Sequence, residues 1–132
     1  MTIAFLIGRV ILGLYWLNTA YGHIFKSAGM VGYAQSKGVK SAGTAKFAVV
    51  GTGILALLGG PSVLVGYRPE LGIACLVIFL IGVSWKMHPY WNEADPMAKM
   101  GDRVNFLKNM ALLGALLAML AIPLPWVYSL GF

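Results

Sequence analysis

The sequence predicts an all-α membrane protein: one domain over residues 1–132, built as an antiparallel bundle of four transmembrane helices. Three observations predict it. Hydrophobic residues make up 59% of the chain and charged residues only 11%, against about 25% charged in soluble domains. The apolar residues fall in four stretches, each near the ~20 residues that a helix needs to cross a bilayer. Those stretches are continuously apolar rather than alternating, which excludes barrel strands. A helix also satisfies its own backbone hydrogen bonds, as lipid requires.

The first span covers residues 3–25. It is not expected to act as a secretory leader, because Arg9 interrupts it and it shows neither a basic start nor a small-residue cleavage site. It is expected to stay as an uncleaved helix. The connection that follows, "KSAGMVGYAQSKGVKSAG", mixes Met30, Val31, Tyr33 and Val39 with lysines and glycines. Such a mixture predicts a short interfacial or re-entrant segment. The second span covers residues 44–67. Gly51, Gly53, Gly59 and Gly60 are expected to pack neighbouring backbones closely, and Pro61 to kink the helix. The link "GYRPEL" is so short that spans two and three must form a hairpin, with Pro69 in the first turn of the third, residues 70–87. The third connection, "HPYWNEADPMAKMGD", holds three of the four acids. Asp102 is read as the N-cap of the last span, residues 103–128.

Charge sets orientation. Lys26, Lys37, Lys40, Lys46, Lys86, Lys99, Arg103 and Lys108 lie in or beside the first and third connections, with only Arg9 and Arg68 on the other side. The excess predicts those connections in the cytoplasm and both termini outside. The net charge of +6 follows this topology and comes with no nucleic-acid-binding motif. Cys75 is the only cysteine, so an intrachain disulfide, a CxxC pair and a cysteine-rich metal site are all excluded.

Polar side chains inside apolar spans carry most of the functional signal. Arg9 is expected to pair with Glu70, or to share a polar pocket with it, unless it snorkels to the headgroups. Asn18 is expected to bridge helices by hydrogen bonding, or to contact a ligand head group such as a quinone. At the opposite end, His23, His88, Asn105, Lys108 and Asn109 are candidates for one ligand pocket. The imidazoles exchange protons near neutral pH, and the lysine and asparagines suit a carbonyl or anion. The plainer reading is an interfacial belt, with Trp85, Tyr90 and Trp91 at headgroup depth. Two histidines without supporting thiolate or carboxylate ligands are a weak signal for metal or haem, and neither is expected.

The run "GRVILGLYWLNTAYGHIFK", then "GILALLGGPSVLVGY", "HPYW" and "NFLKNMALLGALL" resembles the DoxX family of small four-helix membrane proteins. Arg9, the pair Gly59 and Gly60, and His88, Asn105, Lys108 and Asn109 stand at the matching positions. The resemblance implies a bacterial or archaeal plasma-membrane protein associated with redox systems, including a thiosulfate:quinone oxidoreductase and sulfurtransferase partners. Many members carry an acid shortly before the double glycine, where this chain reads "ILALL". With no thiol pair and no cofactor fingerprint, the chain is not expected to perform redox chemistry alone.

The function expected is a membrane subunit or accessory of a quinone-linked redox system, with a soluble redox partner or sulfurtransferase and the lipid bilayer around it. The alternative is a membrane chaperone, assembly or partner-recruiting protein without catalysis, recruiting acidic partners through its basic connections. A homo-oligomer fits either. Transport ranks last, because membrane acids for ion coupling are missing.

Overall fold

Five α-helices follow one another: α1 (Thr2–Phe25), α2 (Ser27–Ser36), α3 (Ala42–Val65), α4 (Pro69–Met87) and α5 (Pro96–Met119), with a single 3₁₀ turn at Tyr90–Asn92 between the last two. The computed structural model of the chain describes residues 2–131. Three segments are long and apolar enough to cross a membrane: Ile3–Phe25, Ala42–Val65 and Pro69–Asn92.

The ends of the long helices follow from their sequences. The Ser41 side chain accepts from the Thr44 backbone N–H and caps α3. Gly66 closes α3 in the left-handed conformation at φ 71°, which glycine adopts without penalty. Pro69 then opens α4. The Ser62 hydroxyl lies 2.7 Å from the Tyr67 carbonyl oxygen and 3.0 Å from that of Arg68, and so satisfies the tight hairpin turn. The first connection is a helix, α2, lying against α3 with Ala34 buried.

The last helix departs from its predicted bounds. It begins at Pro96 rather than near Arg103, because Asp95 accepts from the Ala98 backbone N–H and Pro96 takes the first helical position. It ends at Met119 rather than near Tyr128, because Pro123 follows four residues later and a proline clashes with the carbonyl of residue i−4. The helix therefore takes in Lys99, Asp102 and Arg103, while apolar residues from Leu120 onward run through turns. By length and apolarity α5 does not match the three spans.

Contacts at its two ends give the direction of each helix. Arg9, near the start of α1, meets Leu64 at the end of α3 and the tail residues Val127 and Tyr128. At the other end, Tyr33 of α2 meets Met87 of α4 and Asp102 of α5. The four long helices thus alternate in direction. The α1–α3 pair is the tightest. Gly53 faces His23 and Ile24 of α1, Gly60 faces Trp16, and Gly59 faces Leu76 of α4. Gly51, expected among them, has open space where a Cβ would stand. The core joins Trp16 and Ala20 of α1, Ala56 and Val63 of α3, Leu76, Phe79 and Leu80 of α4, Leu116 and Met119 of α5, and Trp126 of the tail.

Candidate functional site

Arg9 does not pair with Glu70. It is buried at 1% exposure, while Glu70 lies exposed at the start of α4. Its guanidinium donates to the Val127 and Tyr128 carbonyls, both at 2.9 Å, and to the Leu64 carbonyl at 3.2 Å, with the rings of Phe5 and Trp126 5.8 and 5.7 Å away. Burial also excludes snorkelling. Arg9 instead binds orphan carbonyls, including one in the last turn of α3, where the helix dipole favours a cation. Asn18 lies exposed on α1 and makes no bridge to another helix among the described residues.

At the opposite end a cavity of about 490 Å³ opens between α1, α2, α3 and α4. That size falls within the roughly 300–1,000 Å³ typical of small-ligand sites. Its lining is mostly apolar, with Met30 and Ala34 from α2, Ala48 and Val49 from α3, and Val83 and Met87 from α4. His23 and His88 both line it. Lys86 and Thr44 stand at its exposed rim.

Three other candidates lie elsewhere. Lys108 is exposed on α5 and donates to Asn105 Oδ1 at 3.1 Å, one turn away. Asn109 is buried on the same helix. None of the three lines the cavity. Their i, i+3 and i, i+4 spacing put them correctly on one helix, but α5 packs chiefly on α4 and does not reach the cavity wall.

Each histidine is held by its Nδ1. That of His23 lies 2.9 Å from Thr52 Oγ1 and 3.2 Å from the Val49 carbonyl oxygen. That of His88 lies 3.1 Å from Asp102 Oδ1. Asp102, 5% exposed, is the hub of this end. Its Oδ1 also accepts from the Tyr33 hydroxyl at 2.9 Å, and its Oδ2 accepts from Lys37 Nζ at 2.5 Å. Lys37 further donates to Glu93 at 3.1 Å. The expected N-cap is therefore a buried carboxylate on the inner face of α5, and Asp95 does the capping.

These bonds shift the titration of Asp102, Lys37 and Tyr33. Burial works to raise the Asp102 carboxyl, but hydrogen bonds from Lys37, His88 and Tyr33 outweigh it and hold the carboxyl below its ordinary value. The Lys37 ammonium is raised above its ordinary value, chiefly by its bond to Asp102. The Tyr33 phenol is pushed up to about 12 by burial first and then by Asp102. The aromatic residues of the same turn face the other way. Trp85, Tyr90 and Trp91 surround Phe106 of α5 with ring centroids 5.3, 5.6 and 5.4 Å from it. Trp85 and Trp91 remain about half exposed.

Long apolar helices around a partly open, mostly apolar cavity define a membrane-helix protein. The family model of DoxX matches residues 4–89, and the chain belongs to the DoxX family. The match covers α1 to α4 and ends just past His88, so α5, with Asp102, Asn105, Lys108 and Asn109, lies beyond it. No curated protein and no solved structure matches the chain.

Proposed function

We propose that this DoxX-family membrane protein binds a small apolar molecule of quinone type in the cavity between α1, α2, α3 and α4, and serves a quinone-linked redox system as a membrane subunit. One observation carries the reading: two histidines from different helices, His23 and His88, line a single, mostly apolar cavity. Apolar walls suit a ring and its alkyl tail, and two imidazoles suit the oxygens of the head group. A bound quinone would supply two-electron, two-proton chemistry. The electrons would come from a partner protein, since this chain's one thiol, Cys75, stands alone.

In this reading α5 also lies in the bilayer from Val104 onward, and the His88 end faces the cytoplasm of a bacterial or archaeal cell. The lysine excess beside α2 and the third connection supports that orientation. The partner-recruiting alternative loses one of its basic anchors, because Lys37 is committed to Asp102 and Glu93.

The test is chemical. Protein purified from native membranes in mild detergent is extracted with organic solvent and its quinone content measured against protein. Near one quinone or quinol, counted together, per chain, falling sharply in a His23→Leu, His88→Leu double variant, is the expected result. Protein free of quinone and quinol that also fails to take up a short-chain analogue in either its oxidised or its reduced form would refute the proposal.

A further inference from the structure

Both histidines of the cavity are held through Nδ1, and the partners of that nitrogen point to one tautomer for both. The Val49 carbonyl oxygen can only accept a hydrogen bond, and it lies 3.2 Å from His23 Nδ1. The Thr52 hydroxyl sits 2.8 and 2.9 Å from the carbonyls of Val49 and Ala48, so its one proton belongs to the helix behind it and its oxygen faces His23 as an acceptor. A bare Nδ1 would set its lone pair against two oxygens. The proton therefore resides on His23 Nδ1. At His88 the same nitrogen faces the Asp102 carboxylate at 3.1 Å, and the Tyr33 hydroxyl, 3.4 Å away, has better acceptors in Asp102 and Met87. The proton is again on Nδ1. In each uncharged ring, Nε2 is then a bare acceptor, with no protein partner among the described residues.

We infer that the cavity is built to receive an apolar molecule whose head group donates hydrogen bonds, a phenol or hydroquinone rather than a ketone or quinone. This inference rests on the proposed ligand role of the cavity and sharpens it to the reduced, hydroxyl-bearing form. The strongest carbonyl-holding candidates in the sequence, Lys108 and Asn109, lie outside the cavity, and the Tyr33 proton is already taken. Lys86 and Thr44 are donors only at the exposed rim. Asp102 is in this account a positioning residue, acting on the ligand through His88.

The test has two arms, both on the full chain in detergent at about pH 8, above the ordinary range of an imidazole. Nitrogen-15 NMR of histidine-labelled, ligand-free protein reports the tautomers directly. Nδ1 protonation of both rings is expected, and a proton on Nε2 of either uncharged ring overturns the inference. Calorimetry then compares para-nonylphenol with its methyl ether, which keeps the ring and tail but lacks the donor. The phenol should bind about tenfold tighter, the value of one or two hydrogen bonds. Equal affinities overturn the donor preference while leaving a binding cavity, whereas binding of neither compound removes the cavity reading and this inference together. A short-chain hydroquinone and a long-chain alcohol share the donor, and the tighter of the two identifies a quinol or a lipid alcohol as the source.

Asp102→Asn gives a signature that a merely structural role would not. Lys37 would claim the amide oxygen, leaving the amide NH₂ to donate to His88 Nδ1. The His88 proton should move to Nε2 and the preference for phenol over ether should shrink. Unchanged His88 shifts and an unchanged preference in a folded variant would overturn the positioning role.

Discussion

Arg9 and Asp102 are the two buried charges on which the ends of the molecule depend, and they are satisfied in different ways. Arg9 has no acid partner among the described residues and binds three carbonyls from α3 and the tail. Replacing it by methionine keeps much of the volume but leaves those carbonyls unpaired, at about 1.5–3 kcal/mol for a hydrogen bond to a charged group. Arg9→Met should lower the melting temperature by several degrees and expose the tail to protease, with Glu70→Gln unchanged. Equal melting temperatures for all three proteins would contradict this. Asp102 gives a pH signature. Its carboxyl is held below the ordinary value, so its stabilisation is complete above that value, 3.8, and is lost as pH falls through the lower folded value. Lys37 is raised above 10.5, so its share is complete below that pH and is lost as pH rises through the folded value. Tyr33, raised to about 12, adds to the alkaline loss. Thermal stability should therefore hold between about pH 5 and 10 and fall on both sides. In Asp102→Asn the acid-side fall should flatten. The sequence disclosed both residues as polar groups near helix ends but assigned neither partner correctly, because each partner lies more than 50 positions away in the chain or on a helix whose register was misplaced.

At the scale of elements, the apolar stretches were legible because lipid imposes a single length and a single composition on them. Spans read as 3–25, 44–67 and 70–87 correspond closely to α1, α3 and α4. The start of α5 was not found, although "DP" before "MAKM" is an N-cap and first-position proline signature. The charged first turns of α5 resembled a loop, and the apolar tail resembled more helix. The same limit applies to the glycines. Composition marked four in α3 as packing surface, yet only position on the helix decides which face a neighbour. A Cβ at Gly60 would stand 2.9 Å from Trp16 Cβ, against a rigid part of α1, while one at Gly51 meets open space. Gly60→Ala should cost about 1–3 kcal/mol by overpacking, and Gly51→Ala should leave stability unchanged or slightly improved. Chemical denaturation of the two variants in one detergent checks the contrast; equal midpoints would mean that α1 and α3 are less closely apposed than described.

Across the whole molecule, α2 connects the fold to the site. It roofs the cavity with Met30, Tyr33 and Ala34, and it is tied to α4 and α5 through Tyr33 and Lys37. His23 and His88 could be named as candidates from their positions at the ends of two spans. That the cavity lies between them and beneath α2, and that Asp102 stands behind His88, depends on tertiary packing that no local pattern records. The cavity is proposed to hold a ligand. Gly82 lines it and has open space where a Cβ would stand, so a side chain can begin there without meeting a neighbour. The most direct measurement is the affinity of a short-chain hydroquinone for the purified wild-type protein and for a Gly82→Leu, Ala48→Phe double variant that fills the cavity. A loss of tenfold or more, about 1.4 kcal/mol, with an unaltered melting temperature is the predicted result. Binding that is undiminished in the filled variant would contradict the account.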